Sequence, residues 1–450
     1  MMSRFLSDYG MLLVLAVLCA LLSVWTIAEQ HPTGAAAGEQ LAADIIAQTS
    51  PDANVAIIAR TVPADQAFAT RLEERLAATG RTVVIRINGQ PHDAVKALQE
   101  PAEGRRIDIL AVTKEAGDWA IFDDFDQSYP RFAGAKILRP ASYYWPNFLK
   151  ASNLLNVANQ IAVIAIMAIG MTMVIIAGGI DLSVGSLLAL SAVVAALLIR
   201  DAAGGRDAGT LGMIVCCGLA IAVCTLFGLG TGVLVTFLRV PPFIITLGVM
   251  LIARGTARRL TAEQSVYGLP ESFTWLGRDS SLGFLPNAVV LMIVLYVLAH
   301  LVMSQTVLGR YIYAVGGNRE AARLAGVPVR LVTVIVYVIC GTLAGLGGVI
   351  TASQLNSAGP TYGAMYELSV IAAVVVGGTS LSGGEGKILG TLIGAFLIAV
   401  IQNGMNLVGL KSPDQEIVLG IVIILAVLFD RVKQFWQRGE LSFFRKTPSV

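Results

Sequence analysis

The sequence predicts an all-α polytopic membrane protein of about ten transmembrane helices, two of them broken, with a small α/β insertion domain on its extracytoplasmic side. Three observations predict it. Hydrophobic residues make up 55% and charged residues 14% of the 450, and the mean hydropathy is +0.72, far from the roughly 25% charged of a soluble domain. Apolar runs long enough to cross a bilayer recur along the chain, and two of them are interrupted by glycines followed by hydroxyl or acidic residues. Charge is also unevenly spread: 29 of the 32 basic and 30 acidic residues fall between Glu29 and Lys150. A polar domain is therefore set into an apolar chain.

Composition also excludes function classes. A net charge of +2 and a pI near 8.2 give no support to nucleic-acid binding. Cys19, Cys216, Cys217, Cys224 and Cys340 lie in apolar runs without CxxC spacing, and His31, His92 and His300 are scattered. No metal, disulfide or cofactor is expected from them.

In chain order, residues 1–28 form an anchor whose uncharged run, 11–28, follows Arg4 and is long enough for one crossing. A retained anchor fits better than a cleaved signal, whose apolar core is shorter. With Arg4 held inside, residue 29 onward emerges on the outer face. Residues 29–146 then alternate strand and helix: strand 54–60, helix 64–79 ended by Gly80, strand 81–88, helix 92–99, strand 107–113, and a further strand at 119–122. Such alternation predicts a small parallel sheet with right-handed crossovers. No GxGxxG follows the first strand, so a ligand-sensing or docking domain and a structural insertion both stand. The segment 140–146, PASYYWP, suits a return to the membrane interface.

From 147 to 434 the chain reads as a membrane core with spans at 154–177, 182–199, 211–237, 241–258, 286–303, 331–350, 366–376, 388–409 and 416–434. Ten crossings that start inside return the tail, 435–450, to the cytoplasm, where its basic residues agree with the positive-inside bias. The 305–330 loop falls inside as well, with Arg310, Arg319, Arg323 and Arg330. Arg254, Arg258 and Arg259 fall outside on this count, against the same bias.

Two constellations carry chemistry. Gly178-Gly179-Ile180-Asp181-Leu182-Ser183, followed by Gly185 and Ser186, has a counterpart in Gly377-Gly378-Thr379-Ser380-Leu381-Ser382. Irregular backbone and a carboxylate at membrane depth require protein or a water-filled cavity around them, and paired breaks often line transport paths. Glycine-mediated helix packing is the other reading, with Asp181 capping a helix that starts near Leu182. The second constellation lies in the 305–330 loop. Gly316 precedes Asn318, which can cap a short helix; Glu320 suits its first turn; Ala321, Ala322, Leu324 and Ala325 give it an apolar face; Gly326 and Val327 follow its end. Such a helix docks on a partner protein or lies on the membrane surface. Leu381-Ser382-Gly383-Gly384-Glu385 imitates the signature loop of ATP-binding cassettes. No GxxxxGK[ST] accompanies it, so the chain itself is not expected to hydrolyse ATP.

GMTMVIIAGGIDLSVGSLLALSA, GGNREAARLAGVPV and GGTSLSGGEGKILGTLIGAFLIAVIQNGMNLVGL resemble the permease subunits of ribose-, xylose-, arabinose- and galactose-type ABC importers. The resemblance covers the first anchor and 147–430. It implies a multi-pass protein of the bacterial inner membrane, in which two permease copies, as homodimer or pseudo-dimer, form a pore for a monosaccharide. It also implies alternating access driven by a cytoplasmic ABC ATPase, with a periplasmic sugar-binding protein delivering the sugar. By the same resemblance, residues 178–186 belong to the translocation pathway and 318–327 to the helix that couples to the ATPase. The chain departs from the family in inserting about a hundred residues between Glu29 and Ala141. Their pattern resembles part of one lobe of a sugar-binding protein, too short for two lobes closing on a ligand. An ion-coupled secondary transporter and a membrane-anchored sensor are the competing readings.

Overall fold

Helix α1 (Met2–Trp25) opens a chain that divides into two units, one made of Met1–Thr26 with Asn147–Val450 and the other of Ile27–Pro146. The computed structural model describes residues 2–99, 107–123, 125–132 and 134–437. Most of the tail expected at 435–450, from 438 on, lies outside the described residues.

The smaller unit runs β1 (Ile27–Gln30), α2 (Gly34–Gln48), β2 (Asn54–Ala59), α3 (Pro63–Ala77), β3 (Thr82–Asn88), α4 (Pro91–Gln99), β4 (Ile109–Val112), the short α5 (Lys114–Gly117) and α6 (Phe125–Ser128), β5 (Lys136–Leu138) and β6 (Tyr143–Pro146). β2 to β5 form a parallel sheet in the order β3-β2-β4-β5. Both faces of this sheet are covered, so its central strands are apolar throughout rather than alternating. Val55, Ile57 and Ala59 face α2 and α3 through Leu41, Ile45, Phe68 and Leu72, whereas Ala56 and Ile58 face Leu98, Phe122 and Phe132.

Two expectations are corrected here. Residues 119–122 are not a strand: Ala120–Phe122 is a 3₁₀ turn. Phe122 stacks on Phe125 at 5.7 Å, and Phe125 meets Tyr129 at 5.1 Å. These aromatics roof one face of the sheet, so their segment crosses it instead of joining its edge, and β5 supplies the fourth strand. The first apolar run does not stay helical to residue 28. Ile27 and Ala28 pair antiparallel with Pro146 and Trp145, so β1 and β6 form a ribbon where the smaller unit begins and ends. The PASYYWP segment is half of that ribbon.

The larger unit continues as α7 (Ala151–Ile176), α8 (Val184–Asp201), α9 (Thr210–Phe237), α10 (Pro242–Thr261), α11 (Asn287–Gln305), α12 (Val307–Gly317), α13 (Arg319–Leu324), α14 (Val329–Leu355), α15 (Tyr366–Val376), α16 (Ile388–Leu407) and α17 (Ser412–Gln437). Among the described residues, α7, α8, α9, α11, α14 and α16 are long and apolar enough to cross a membrane, and Gly10–Trp25 and Tyr366–Val376 are shorter apolar helices. The protein is thus mostly helical and membrane-embedded. Of the most apolar window of α7, 89% is buried, against 28% for α9. α7 is therefore the central post and α9 a peripheral one. α14 packs along α9 and α8 at glycines: Gly341 and Gly345 meet Cys224, and Gly348 meets Leu188 and Ser191. Small residues let membrane helices approach closely without needing a hydrophobic driving force.

Candidate functional site at the two helix breaks

α7 and α15 end in the same way. Gly178 N–H donates to Ile175 O and Gly179 N–H to Val174 O; Gly378 N–H donates to Val375 O and Thr379 N–H to Val374 O. These crossed bonds are the Schellman stop, which needs a left-handed residue just past the helix. Gly178 (φ +81°) and Gly378 (φ +88°) are those residues. The structural counterparts are therefore Gly178 with Gly378 and Gly179 with Thr379. Aligning the glycine pairs by sequence places them one residue out of register. Gly377 instead has the right-handed conformation of a helix end.

After the first stop, Asp181 Oδ1 accepts from Ser183 N–H (2.9 Å) and from Ser183 Oγ (2.6 Å). The carboxylate thus caps the turn entering α8, which begins at Val184 rather than near Leu182. Asp181, Ser183 and Ser186 are fully buried and Gly185 is buried beside them. Tyr337 OH lies against Gly179, and Glu367 Oε2 lies against Gly185. Tyr337 sits eight residues into α14, about 12 Å from its start at 1.5 Å per residue. The break is graded in burial: Gly178 is exposed, Gly179 and Ile180 are half-buried, and Asp181 and Ser183 are fully enclosed.

Among the described residues, four buried polar atoms around the breaks have no hydrogen-bond partner, Ser186 Oγ, Tyr337 OH, Glu367 Oε2 and Thr379 Oγ1, while the Asp181 carboxylate also has the Cys340 thiol beside it. Unsatisfied groups of this kind are rare in folded proteins, so this region is the candidate site. Neither of the two cavities described is lined by them; one borders Tyr296, His300 and Leu389, the other Leu251, Thr256 and Arg259. Among the described residues, no three His, Cys, Asp or Glu side chains gather as metal ligands.

After the second stop the chain folds back on itself, with Ser380 N–H donating to Glu385 O, Gly383 N–H to Ser380 O and Ser382 N–H to Ser380 Oγ. The cassette-like residues 381–385 are thus a tight turn, not a nucleotide loop. Its Gly384 N–H reaches across to Ile176 O (2.9 Å), one of the carbonyls that α7 leaves unpaired at its end. The second break therefore caps the end of the first.

The loop expected at 305–330 contains an unforeseen helix, α12, capped by Thr306 Oγ1 accepting from Gly309 N–H. Its far end meets both breaks. Gly316 packs so tightly on Ile176 O and Gly384 N that a Cβ there would overlap the Ile176 carbonyl. Tyr313 OH donates to Gly386 O at 2.8 Å. α13 follows directly, with Asn318 Oδ1 accepting from Ala321 N–H (2.9 Å) and Arg323 paired with Glu320 (2.8 Å). Of the expected apolar face, Ala322 is buried, Ala321 and Ala325 are exposed, and Leu324 is 81% exposed. Gly326 ends the turn at φ +82°, and Val327 N–H returns to Ala322 O. The structure thus brings Gly178, Gly384 and Gly316 together from three parts of the sequence. Tyr313 and Tyr337 escaped the sequence reading because nothing local distinguishes a tyrosine that reaches another helix.

Residues 153–427 match the sequence profile of the family described as the permease component of the branched-chain amino acid transport system. The chain is 47% identical over 293 residues to the ribose import permease protein of Escherichia coli (strain K12), covering 64% of this chain and 88% of that protein. It is 42% identical over 315 residues to the ribose import permease protein of Bacillus subtilis (strain 168), covering 69% and 95%. It is 34% identical over 285 residues to the D-allose transport system permease protein of Escherichia coli (strain K12), covering 63% and 85%. No solved structure matches the chain. The family match begins after the 27–146 unit, which accounts for most of the extra length over these relatives.

Proposed function

The chain belongs to the family of permease components of branched-chain amino acid transport systems, and from that premise we propose that it is the membrane subunit of an ATP-driven importer of a monosaccharide. The relatives named for ribose and D-allose support that substrate class. The observation that carries the mechanism is the three-way contact of Ile176, Gly316 and Gly384. An ATPase docked on α13 through Leu324 and the Glu320–Arg323 pair would move α12, and α12 bears directly on both breaks. Their separation would then open the buried Asp181, Ser183, Gly185, Ser186 and Ser380 to the sugar, beside Ser382, which is already exposed. Neutral hydroxyls need hydrogen bonds rather than charge, so the unpartnered polar atoms are suitable hosts.

In this reading the protein sits in the bacterial inner membrane with ten crossings, α12 and α13 in the cytoplasm and residues 29–146 in the periplasm. A second copy completes the pore, and a periplasmic sugar-binding protein delivers substrate, touching the inserted unit. The test is uptake of labelled D-ribose into vesicles holding this chain, its ATPase and its binding protein. ATP-dependent accumulation supports the proposal, and accumulation without the ATPase overturns it. Buried Glu367 Oε2, without a hydrogen-bond partner among the described residues, favours one competing reading, an ion-coupled transporter. That reading requires uptake to collapse with an uncoupler while ATP is held constant.

A further inference from the structure

The inserted unit has no role in the contact between breaks and α12, yet it is built with the topology that creates ligand sites. Its first sheet strand is β2; the chain passes to β3 on one side, then crosses back to β4 on the other. α3 covers one face and α4 the opposite face. The segments leaving β2 and β4 therefore diverge, and a crevice opens beyond the carboxyl ends of these two strands. In open parallel sheets this reversal point is where ligands bind, whatever the family.

The crevice is furnished. Asp65, 3% exposed, forms its floor: Oδ2 accepts from Arg60 N–H (3.2 Å), Arg60 Nε (2.9 Å) and Thr113 Oγ1 (3.0 Å), and Oδ1 accepts from Arg60 Nη2 (3.3 Å). One carboxylate thereby ties the end of β2 to the end of β4. It also holds the Arg60 guanidinium by its fork, which fixes the plane of the group. Above it Arg60 is 37% exposed and meets Glu115, 42% exposed, at 3.4 Å. Arg60 Nη1 has no hydrogen bond among the described residues. The Asp65 carboxylate is buried, while the guanidinium it holds stays partly open to solvent. The pair thus pins the two strand ends and also presents an oriented guanidinium beside the half-open Glu115 carboxylate.

We propose that this crevice, lined by Arg60, Thr113 and Glu115, is a binding site for a small neutral polyhydroxylated molecule. Each hydroxyl of such a molecule both donates and accepts; Arg60 Nη1 offers the donors and the Glu115 carboxylate the acceptors. The Arg60 charge is already met by Asp65 and Glu115, which disfavours an anion as occupant. Identifying the molecule with the transported monosaccharide rests on the function proposed above; the site itself does not.

The test is equilibrium binding of radiolabelled D-ribose, D-allose, D-xylose, L-arabinose and D-galactose, with inorganic phosphate alongside, to the full chain in lipid nanodiscs without other subunits. At least one sugar is expected to bind saturably. Glu115→Gln, an isosteric change at a half-exposed position, and Arg60→Lys are each expected to weaken that binding by at least about tenfold, the loss of one charge-assisted hydrogen bond. Arg71→Gln, an exposed ion-pair residue of the same unit, is the control and is expected to leave binding unchanged. The proposal is overturned if no sugar binds, if phosphate is the species that binds, or if binding is indifferent to Glu115→Gln. ATP-driven uptake measured on the same variants separates the two claims: transport without Arg60-dependent binding removes this site alone, and sugar binding without transport removes the importer alone.

Discussion

Tyr313 donates to Gly386 O from 73 residues away, tying the presumed lever to the second break with one phenol hydroxyl. Tyr313→Phe keeps the ring and removes about 1 kcal/mol of hydrogen bonding. Expression should be unchanged, while sugar transported per ATP hydrolysed, measured in vesicles, falls. Gly178 poses a different test, because its φ of +81° costs an L side chain about 1–2 kcal/mol. Gly178→Ala should lower the free energy of unfolding in detergent by that margin, whereas Gly218→Ala, in a helix with open space around the position and no left-handed φ, should not lower it. At this scale the sequence was readable wherever a residue acts on its neighbours. Asp181 capping through Ser183 and Asn318 capping through Ala321 are turns of two and three residues, and their residue types announce them. Tyr337 against Gly179 and Glu367 against Gly185 are meetings of distant helices, which leave no trace in spacing.

Among elements, the inserted sheet has a titratable pin. Burial alone would raise the Asp65 carboxyl, but hydrogen bonds from the Arg60 side chain and backbone and from Thr113 outweigh it, holding the group below the usual carboxylate value. A depressed folded pKa contributes stability that is present above the unfolded value near 3.9 and lost as pH falls through the folded value. Limited proteolysis of the full chain should therefore show the 27–146 unit loosening in that acid window, and Asp65→Asn should remove that contribution at neutral pH. Most elements were legible because periodicity and composition dictate them: 366–376 was read to the residue, and β2, β3 and β4 within about two. The misread ones share a cause. Residues 119–122 carry strand-like residues whose partners are aromatics further on, and α12 carries Gly309, Arg310, Gly316 and Gly317, which give it the composition of a loop.

For the whole molecule, the paired β1–β6 ribbon begins and ends the insertion with its two ends side by side, and the relatives match over most of their length without needing it. A chain lacking 27–146 should still enter the membrane and transport at saturating sugar, with a raised half-saturation in uptake curves if the unit assists delivery. An unchanged curve would assign the unit no part in transport. Composition disclosed the membrane class, and the two glycine breaks were legible as interruptions of apolar helices. That the breaks touch each other, and that one loop rests on both, follows from the packing of α7, α12 and α15 and could be seen only in three dimensions.

The account turns on α12 transmitting motion to the breaks through Gly316. The most direct measurement is paired uptake and ATP hydrolysis in vesicles containing the partner subunits, comparing the native chain with Gly316→Leu, whose side chain would wedge Ile176 from Gly384. The account predicts that hydrolysis continues while D-ribose uptake stops. Uptake at the native rate in that variant would contradict it.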